Sequence, residues 1–489
     1  GLAPPPPSAA VWARPYAATA SQRTTGDGRV GHDVGGELLW QPTPNTVVEG
    51  TVNTDFAQAD VDRQVVNLRR FSYFFPEQRQ FFLDTATLFD VGTSDDLVIR
   101  PFFSRRVGLS ESGTAIPLTG GVRAVRASTQ GTSGVMAMHQ RAGTQSDAAT
   151  FLVGRTSRNF GGARRLGGLF VTRRDAGAET TAATATAAID GFVRFTPTLT
   201  AEGMVSGTRT GPGVSGLAGY ARIARETNQF TAALLEAVVT RDYAPSAGFV
   251  SRTNVAMHAP YLSYDYRPSW RPKAVRNFKF VANSYLYTSL KDGALEEGYT
   301  EAWVDVSGQR GGLFYADLQH FSQRVTTPFE PVPGVVIPAG RYSYVRPNLY
   351  YGSDRSRRIW YAARAYTGGF YDRSLDQIEL QAFVSPSPRV ALGLRADLNR
   401  FRGAGSGATT RLIAPELRLA WTPRVQLTTF YQYNDAARQG VLNARFSWEY
   451  RPLSYLYVVL NDARGVGSQA ALAPQRQQLL VKLVYFGHL

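Results

Sequence analysis

The sequence predicts an all-β fold: one large transmembrane antiparallel β-barrel of about 24 strands, an even count between about 22 and 26. Three observations carry that expectation. Apolar and polar residues alternate with a period of two in runs of about ten, the length a tilted strand needs to cross a bilayer. Short Pro-bearing turns alternate with longer Gly/Ser/Asp/Arg-rich links. No stretch approaches the roughly 18 apolar residues of a membrane helix, and a closed barrel also satisfies its backbone inside a bilayer.

The strands are clearest towards the C-terminus. In 377–384, Ile378, Leu380, Ala382 and Val384 oppose Gln377, Glu379, Gln381 and Phe383. In 390–399, Val390, Leu392, Leu394, Ala396 and Leu398 oppose Ala391, Gly393, Arg395, Asp397 and Asn399. In 442–451, Leu442, Ala444, Phe446, Trp448 and Tyr450 oppose Asn443, Arg445, Ser447, Glu449 and Arg451. The last strand sets Leu479, Val481, Leu483 and Tyr485 on one face. Turns fall at Gln41–Asn45, Thr196–Thr198, Arg267–Ser269, Ser385–Pro388, Trp421–Arg424 and Arg451–Ser454, each with Pro. Trp421, Trp448, Tyr450, Tyr455 and Tyr457 flank them, as an interfacial girdle does. A soluble propeller or sandwich also alternates, but no blade motif recurs, and the polar face carries Arg, Asp, Glu, Asn and Gln throughout. A wet lumen accounts for that face.

Composition removes other classes. The 489 residues contain no Cys, which excludes a disulfide scaffold, a thiolate metal site and a thiol nucleophile. The net charge of +15 comes from Arg scattered along the chain, with Lys only at Lys273, Lys279, Lys291 and Lys482. A nucleic-acid partner needs a stripe or tail of charge, and none is present. His32, His139, His258, His320 and His488 lie at no metal-binding spacing from one another, so no metal and no cofactor is expected. No nucleophile elbow or triad stands out, and an enzyme is not expected; an outer-membrane hydrolase is the distant option. The Asp372–Asp376 loop reads as solvated rather than as a Ca²⁺ site.

Residues 1–10 read as a Pro-rich linker and 11–489 as the barrel, with 56–97 as a plug-like insert in which the rhythm breaks. Here Phe pairs alternate with charges of both signs. Asp55, Asp60, Glu77 and Asp84 stand against Arg69, Arg70, Arg79, Arg105 and Arg106. Arg–carboxylate forks would hold such a segment inside the barrel or across its periplasmic mouth. Val61, Val65 and Leu68 fit a short helix over 57–70. The segment reads as a structural plug, or as a gate or binding surface.

The same segment resembles a family of outer-membrane proteins, that of domain of unknown function 5916. The residues that carry the resemblance are Asn53-Thr54-Asp55-Phe56, Asn67-Leu68-Arg69-Arg70-Phe71, Phe74-Phe75-Pro76-Glu77 with Arg79 and Phe81-Phe82, and Ser104-Arg105-Arg106-Val107-Gly108. The similarity runs from about residue 12 to the C-terminus and is sharpest over 45–110. The family pattern has Lys, Pro and Glu where this chain has Gln78, Gln80 and Asp84, so no ion pair at 78 follows. The resemblance implies an outer-membrane barrel linked to polysaccharide, because members commonly carry a family-9-like carbohydrate-binding domain ahead of it. It implies no established activity.

The expected role is passage or binding of a solute, glycan-derived or anionic, through a gated or plugged pore in the bacterial outer membrane. Tyr350, Tyr351, Phe370 and Tyr371 are the candidates for stacking on sugar faces. The alternative is a structural anchor or scaffold for a carbohydrate-binding domain or protein complex. Outer-membrane lipid and glycolipid are the expected surroundings. An Arg facing mid-bilayer lipid costs about 2–4 kcal/mol, so Leu392→Arg should block assembly into vesicles while Arg395→Leu is tolerated. Heat-modifiable migration after refolding reads the outcome, and equal tolerance contradicts the topology.

Overall fold

A computed structural model describes residues 10–489 apart from 25–26, 55–63, 65, 72–73, 78, 94–95, 110–115, 144–146, 177–183, 212, 404–406 and 467–474. Residues 1–9 of the expected linker, and Asp55 and Asp60, lie outside the described residues.

The chain forms a closed antiparallel barrel of 24 strands. Each long strand pairs with the next, from Ala10–Thr24 round to Arg476–Val484. The ends meet in one continuous ladder, Tyr16 opposite Val484 through Thr24 opposite Arg476. Closure leaves no edge with unpaired N–H and C=O groups.

The expected faces are borne out in the C-terminal strands. Leu392 and Leu394 are each 46% exposed on the outside, while Asn399 on the opposite face is 3% exposed. Ile378, Leu380, Leu479, Val481 and Leu483 join the outer apolar belt. Trp40, Phe195, Trp270, Trp421 and Trp448 are all exposed beside the short turns, so one end of the barrel carries an aromatic rim.

The other half of the wall departs from expectation. Along Gly131–Gln140, Val135 is exposed outside while Met136 and Met138 are buried inside. Along Ala149–Phe160, Leu152 is outside and Phe151 and Val153 inside. Both faces are apolar there, so the polar inner face does not run throughout. The cause is the segment between Val52 and Leu118. It leaves the wall at the end opposite the Trp-bearing short turns and packs into the lumen. Phe81, Phe82, Phe89, Leu97, Ile99, Phe102 and Val107 share one core with Met136, Met138, Phe151, Val153, Leu169 and Val171. Gly134 makes room for it: a Cβ there would come within 2.5 Å of Leu88 Cδ2 and 3.2 Å of Phe89.

The insert contains two short helices, Gln80–Leu83 and Ala86–Phe89. The helix expected over 57–70 is absent from the described residues 64 and 66–71. Gln64 and Arg70 bond to the wall, and Asn67 closes a non-helical turn, its amide donating to the Phe71 carbonyl at 2.9 Å and its Oδ1 accepting from the Arg69 N–H at 3.0 Å. Ile99–Arg100 pairs with Phe249–Val250 from a long loop, and the hairpin Phe329–Val332/Val335–Ile337 packs on Val66 and Leu68.

Each fully buried Phe contributes about 1.5–3 kcal/mol by burial, and its truncation to Ala costs about 3–5 kcal/mol with the cavity left behind. Phe81→Ala should therefore loosen the insert without opening the wall. Limited proteolysis should cut 79–107 faster while heat-modifiable migration stays unchanged.

Candidate functional site

The insert touches opposite walls. The Gln64 N–H donates to Gln432 Oε1 at 2.7 Å, and its side-chain amide donates to Gln439 at 3.3 Å. Arg70 donates to Gln323 Oε1 at 3.0 Å and to the Arg324 carbonyl at 3.1 Å. Across the lumen, Arg123 donates to the Phe81 carbonyl and pairs with Glu49, which lies directly opposite it in the ladder.

The hub of the insert is Glu77 with Arg79. The guanidinium meets the carboxylate through two bonds, Nε to Oε1 at 2.8 Å and Nη2 to Oε2 at 2.7 Å. Its remaining donors reach the carbonyls of Val107 and Ser104, both at 2.6 Å. The plane lies over Phe82 at 4.2 Å, and the Ser104 hydroxyl donates to Glu77 at 2.6 Å. Burial works to raise the Glu77 carboxyl, but the bonds from Arg79 and Ser104 outweigh it and hold it below its ordinary value. This fork ties residues 76–79 to the 104–107 turn.

The other charged candidates are spread over the insert. Arg69 pairs with Asp96 at 2.7 Å. Arg105 donates to the Pro76 carbonyl at 2.8 Å, and Arg106 lies over Phe249 at 5.8 Å. Asp84 accepts from Gln80 on the exposed side.

Arg69 and Arg70 meet the aromatic candidates at a cavity of about 310 Å³ between insert and wall. Phe370 and Tyr371 line it, together with Tyr299, Phe321, Tyr344, Arg346, Gln377, Glu379 and Asn399. Tyr299, Phe321 and Tyr344 stand side by side on three adjacent strands, with ring centroids 5.0 Å apart at each step. Tyr371 adds a face 5.7 Å from Tyr344. It sits at φ +55°, in the left-handed region that bulky residues rarely adopt. Gly368 just before it, at φ +124°, has no space for a Cβ against the Val345 carbonyl. Burial pushes the Tyr371 hydroxyl up to about 12, against the pull of Arg70.

Tyr350 and Tyr351 do not share the cavity. Tyr350 faces inward further along the wall, stacked on Tyr315 at 5.0 Å with Arg364 at 5.2 Å. Tyr351 faces outward beside Tyr361, in the position of a girdle residue.

Sequence reasoning missed Arg252, Arg346 and Gln64. Arg252 lies 4.1 Å from both the Phe71 and the Tyr287 rings and pairs with Glu297 at 2.9 Å. Arg346 is 7% exposed; it donates to Gln377 at 2.6 Å, and its Nε has no partner among the described residues. The alternation of Tyr342, Tyr344, Arg346, Asn348 and Tyr350 was the available signal for it.

Residues 11–159 match the family described as Domain of unknown function (DUF5916). The DUF5916 match spans the first strands and the whole insert, including the Glu77–Arg79 fork. Solved structures similar to the chain include OpdK of Pseudomonas aeruginosa with vanillate, at 8% identity, 98% of this chain, 99% of that chain and TM-score 0.31. They include the siderophore receptor PirA of Pseudomonas aeruginosa, at 8% identity, 98% of this chain, 81% of that chain and TM-score 0.41. The copper transporter OprC is similar at 9% identity, 97% of this chain, 80% of that chain and TM-score 0.43. No curated protein matches.

Because the folded-state value of Glu77 lies below its ordinary 4.5, its stabilisation of the insert is complete above that ordinary value. It is lost as pH falls through the depressed folded value. Protection of 76–107 from hydrogen exchange should therefore drop on acidification. Glu77→Gln should lower it at neutral pH and flatten the acid response.

Proposed function

We propose that this protein is a Gram-negative outer-membrane barrel whose lumen is closed by its own insert, serving as a gated passage or receptor for a small polar solute. The observation that carries the reading is the wall-to-wall path of the insert, from Gln64 at Gln432 through Arg70 at Gln323 to Phe81 at Arg123.

The two parts of the insert are held differently. Residues 79–107 sit in an apolar core, which resists displacement. The 64–71 arm is held by hydrogen bonds and ion pairs that a solute or water can replace, with only Val66 and Leu68 packed on a second, smaller apolar cluster. It also borders the aromatic cavity, so the arm is the gate in this reading. A solute bound against Tyr344 and Tyr371 competes for Arg70 and frees the arm from Gln323.

The cavity favours a glycan-derived solute over a strongly anionic one. Arg69, Arg70, Arg346 and Arg395 face Asp96, Glu297, Glu379 and Asp397 in its lining, and the charges cancel. Flat ring faces beside amides suit a pyranose, whose hydroxyls both donate and accept. The second reading, a permanently shut anchor or scaffold, is favoured by the apolar core that clamps 79–107.

Planar-bilayer conductance separates the two. The chain has no Cys, so Gln64→Cys with Gln432→Cys supplies a unique pair for a short bis-maleimide. The gate reading expects Arg70→Ala to raise open probability and cross-linking to abolish it. A barrel that stays silent in every case is a scaffold.

A further inference from the structure

Tyr350, which lies outside the cavity, belongs to a series of aromatic side chains running down the same wall. On the strand Gly340–Gly352, Tyr344 and Tyr350 face the lumen six residues apart, about 20 Å at 3.3 Å per residue. Tyr315 on the preceding strand stacks on Tyr350, its plane tilted by 20°. On the following strand, Arg364 lies directly opposite Tyr350. Four residues nearer the short turns, Trp360 stacks on Phe383 at 5.7 Å and 19°. Tyr366 stands between these levels, with Arg346 5.2 Å from its ring. These inward rings are half-buried rather than sealed by packing.

The groups between the rings are polar and incompletely bonded. Asp317 and Asn348 face each other across the ladder and are 8% and 2% exposed. Asp317 Oδ2 accepts from Asn348 at 3.0 Å and from Gln319 at 2.7 Å. Asp317 Oδ1, Asn348 Oδ1 and the Nε atoms of Arg346 and Arg364 have no partner among the described residues. Such buried atoms are costly to leave unpaired, and these four offer two acceptors and two donors.

We propose that the solute is a linear oligosaccharide, bound along this track from Tyr344 and Tyr371 towards Trp360 and Phe383. The proposal rests on the glycan reading of the cavity and extends it to the length of the ligand. A pyranose presents flat faces of C–H groups that pack on the negative face of an aromatic ring. Its rim of hydroxyls both donates and accepts, which is what the four unpartnered atoms require. Rings that recur down one wall with such atoms between them suit a chain of sugar units, whereas a compact solute would be held at one level. Arg346 and Arg364 are balanced by Asp317 and Glu379 on neighbouring strands, so the track holds no excess of cations for an acidic chain.

The test is the dependence of affinity on chain length. Binding of glucose, maltohexaose and cellohexaose to the full chain in detergent is read by titration calorimetry. At least one hexasaccharide should bind about tenfold tighter than glucose or better. Trp360→Ala should weaken that hexasaccharide by about tenfold and leave glucose unchanged, whereas Tyr344→Ala should weaken both. Tyr361→Ala, on the next residue but 52% exposed on the outer face, should change neither. If Trp360→Ala does not fold, Tyr350→Ala takes its place. Glucose bound as tightly as both hexasaccharides overturns the track and leaves the cavity reading standing. A hexasaccharide affinity indifferent to the track variant does the same. Absence of binding by all three sugars overturns the track and the glycan reading together, while the conductance of the barrel is decided separately.

Discussion

Inside hydrocarbon an unpaired backbone N–H or C=O costs several kcal/mol, and a sheet avoids that cost by closing. The pairing of Ala10–Thr24 with Arg476–Val484 is therefore the contact on which the rest depends. Closure turns alternation along each strand into an inside and an outside. It also creates an enclosed lumen, and the lumen gives the chain between Val52 and Leu118 an interior to fold into. Without the ring, Phe81 and Met136 would have no common core.

The insert shows how a barrel interior accepts two chemistries. Strands Gly131–Gln140 and Ala149–Phe160 face it with Met136, Met138, Phe151 and Val153, and it answers with phenylalanines. Strands Leu313–Val325 and Gly340–Gly352 face it with Gln323, Tyr344 and Arg346, and it answers with Arg69 and Arg70. One side is a core that resists displacement because separating it exposes apolar surface. The other joins polar bonds of Arg69 and Arg70 to a smaller apolar cluster around Val66 and Leu68.

Charge placement follows the same logic at larger scale. Inside the cavity, cations and carboxylates balance. On the loop-end rim some arginines find aspartates close in sequence, two residues away in Arg29–Asp27 and Arg464–Asp462, while Arg23, Arg141, Arg174 and Arg209 are exposed with no ion pair among the described residues.

Much of the fold was legible in the sequence because lipid on one side and water on the other impose a strict period of two. Leu392, Leu394, Arg395 and Asn399 take the faces their alternation indicates. The strand count followed from the spacing of Pro turns, and the insert from the loss of that rhythm. The sequence did not reveal that strands such as Gly131–Gln140 and Ala149–Phe160 are apolar on the inner face where the insert packs, since a strand apolar on both faces does not alternate; Val135 beside Met136 reads as a plain apolar run. Nor did it reveal which charges meet. Glu77 and Arg79 are neighbours and form their fork locally, but Arg70 with Gln323, Arg123 with the Phe81 carbonyl, and Tyr344 with Tyr371 are joined only when the sheet has curled into a ring. Periodicity is a local property of the chain and decided the wall; the site is made of contacts between distant residues, and only closure of the barrel brings them within reach.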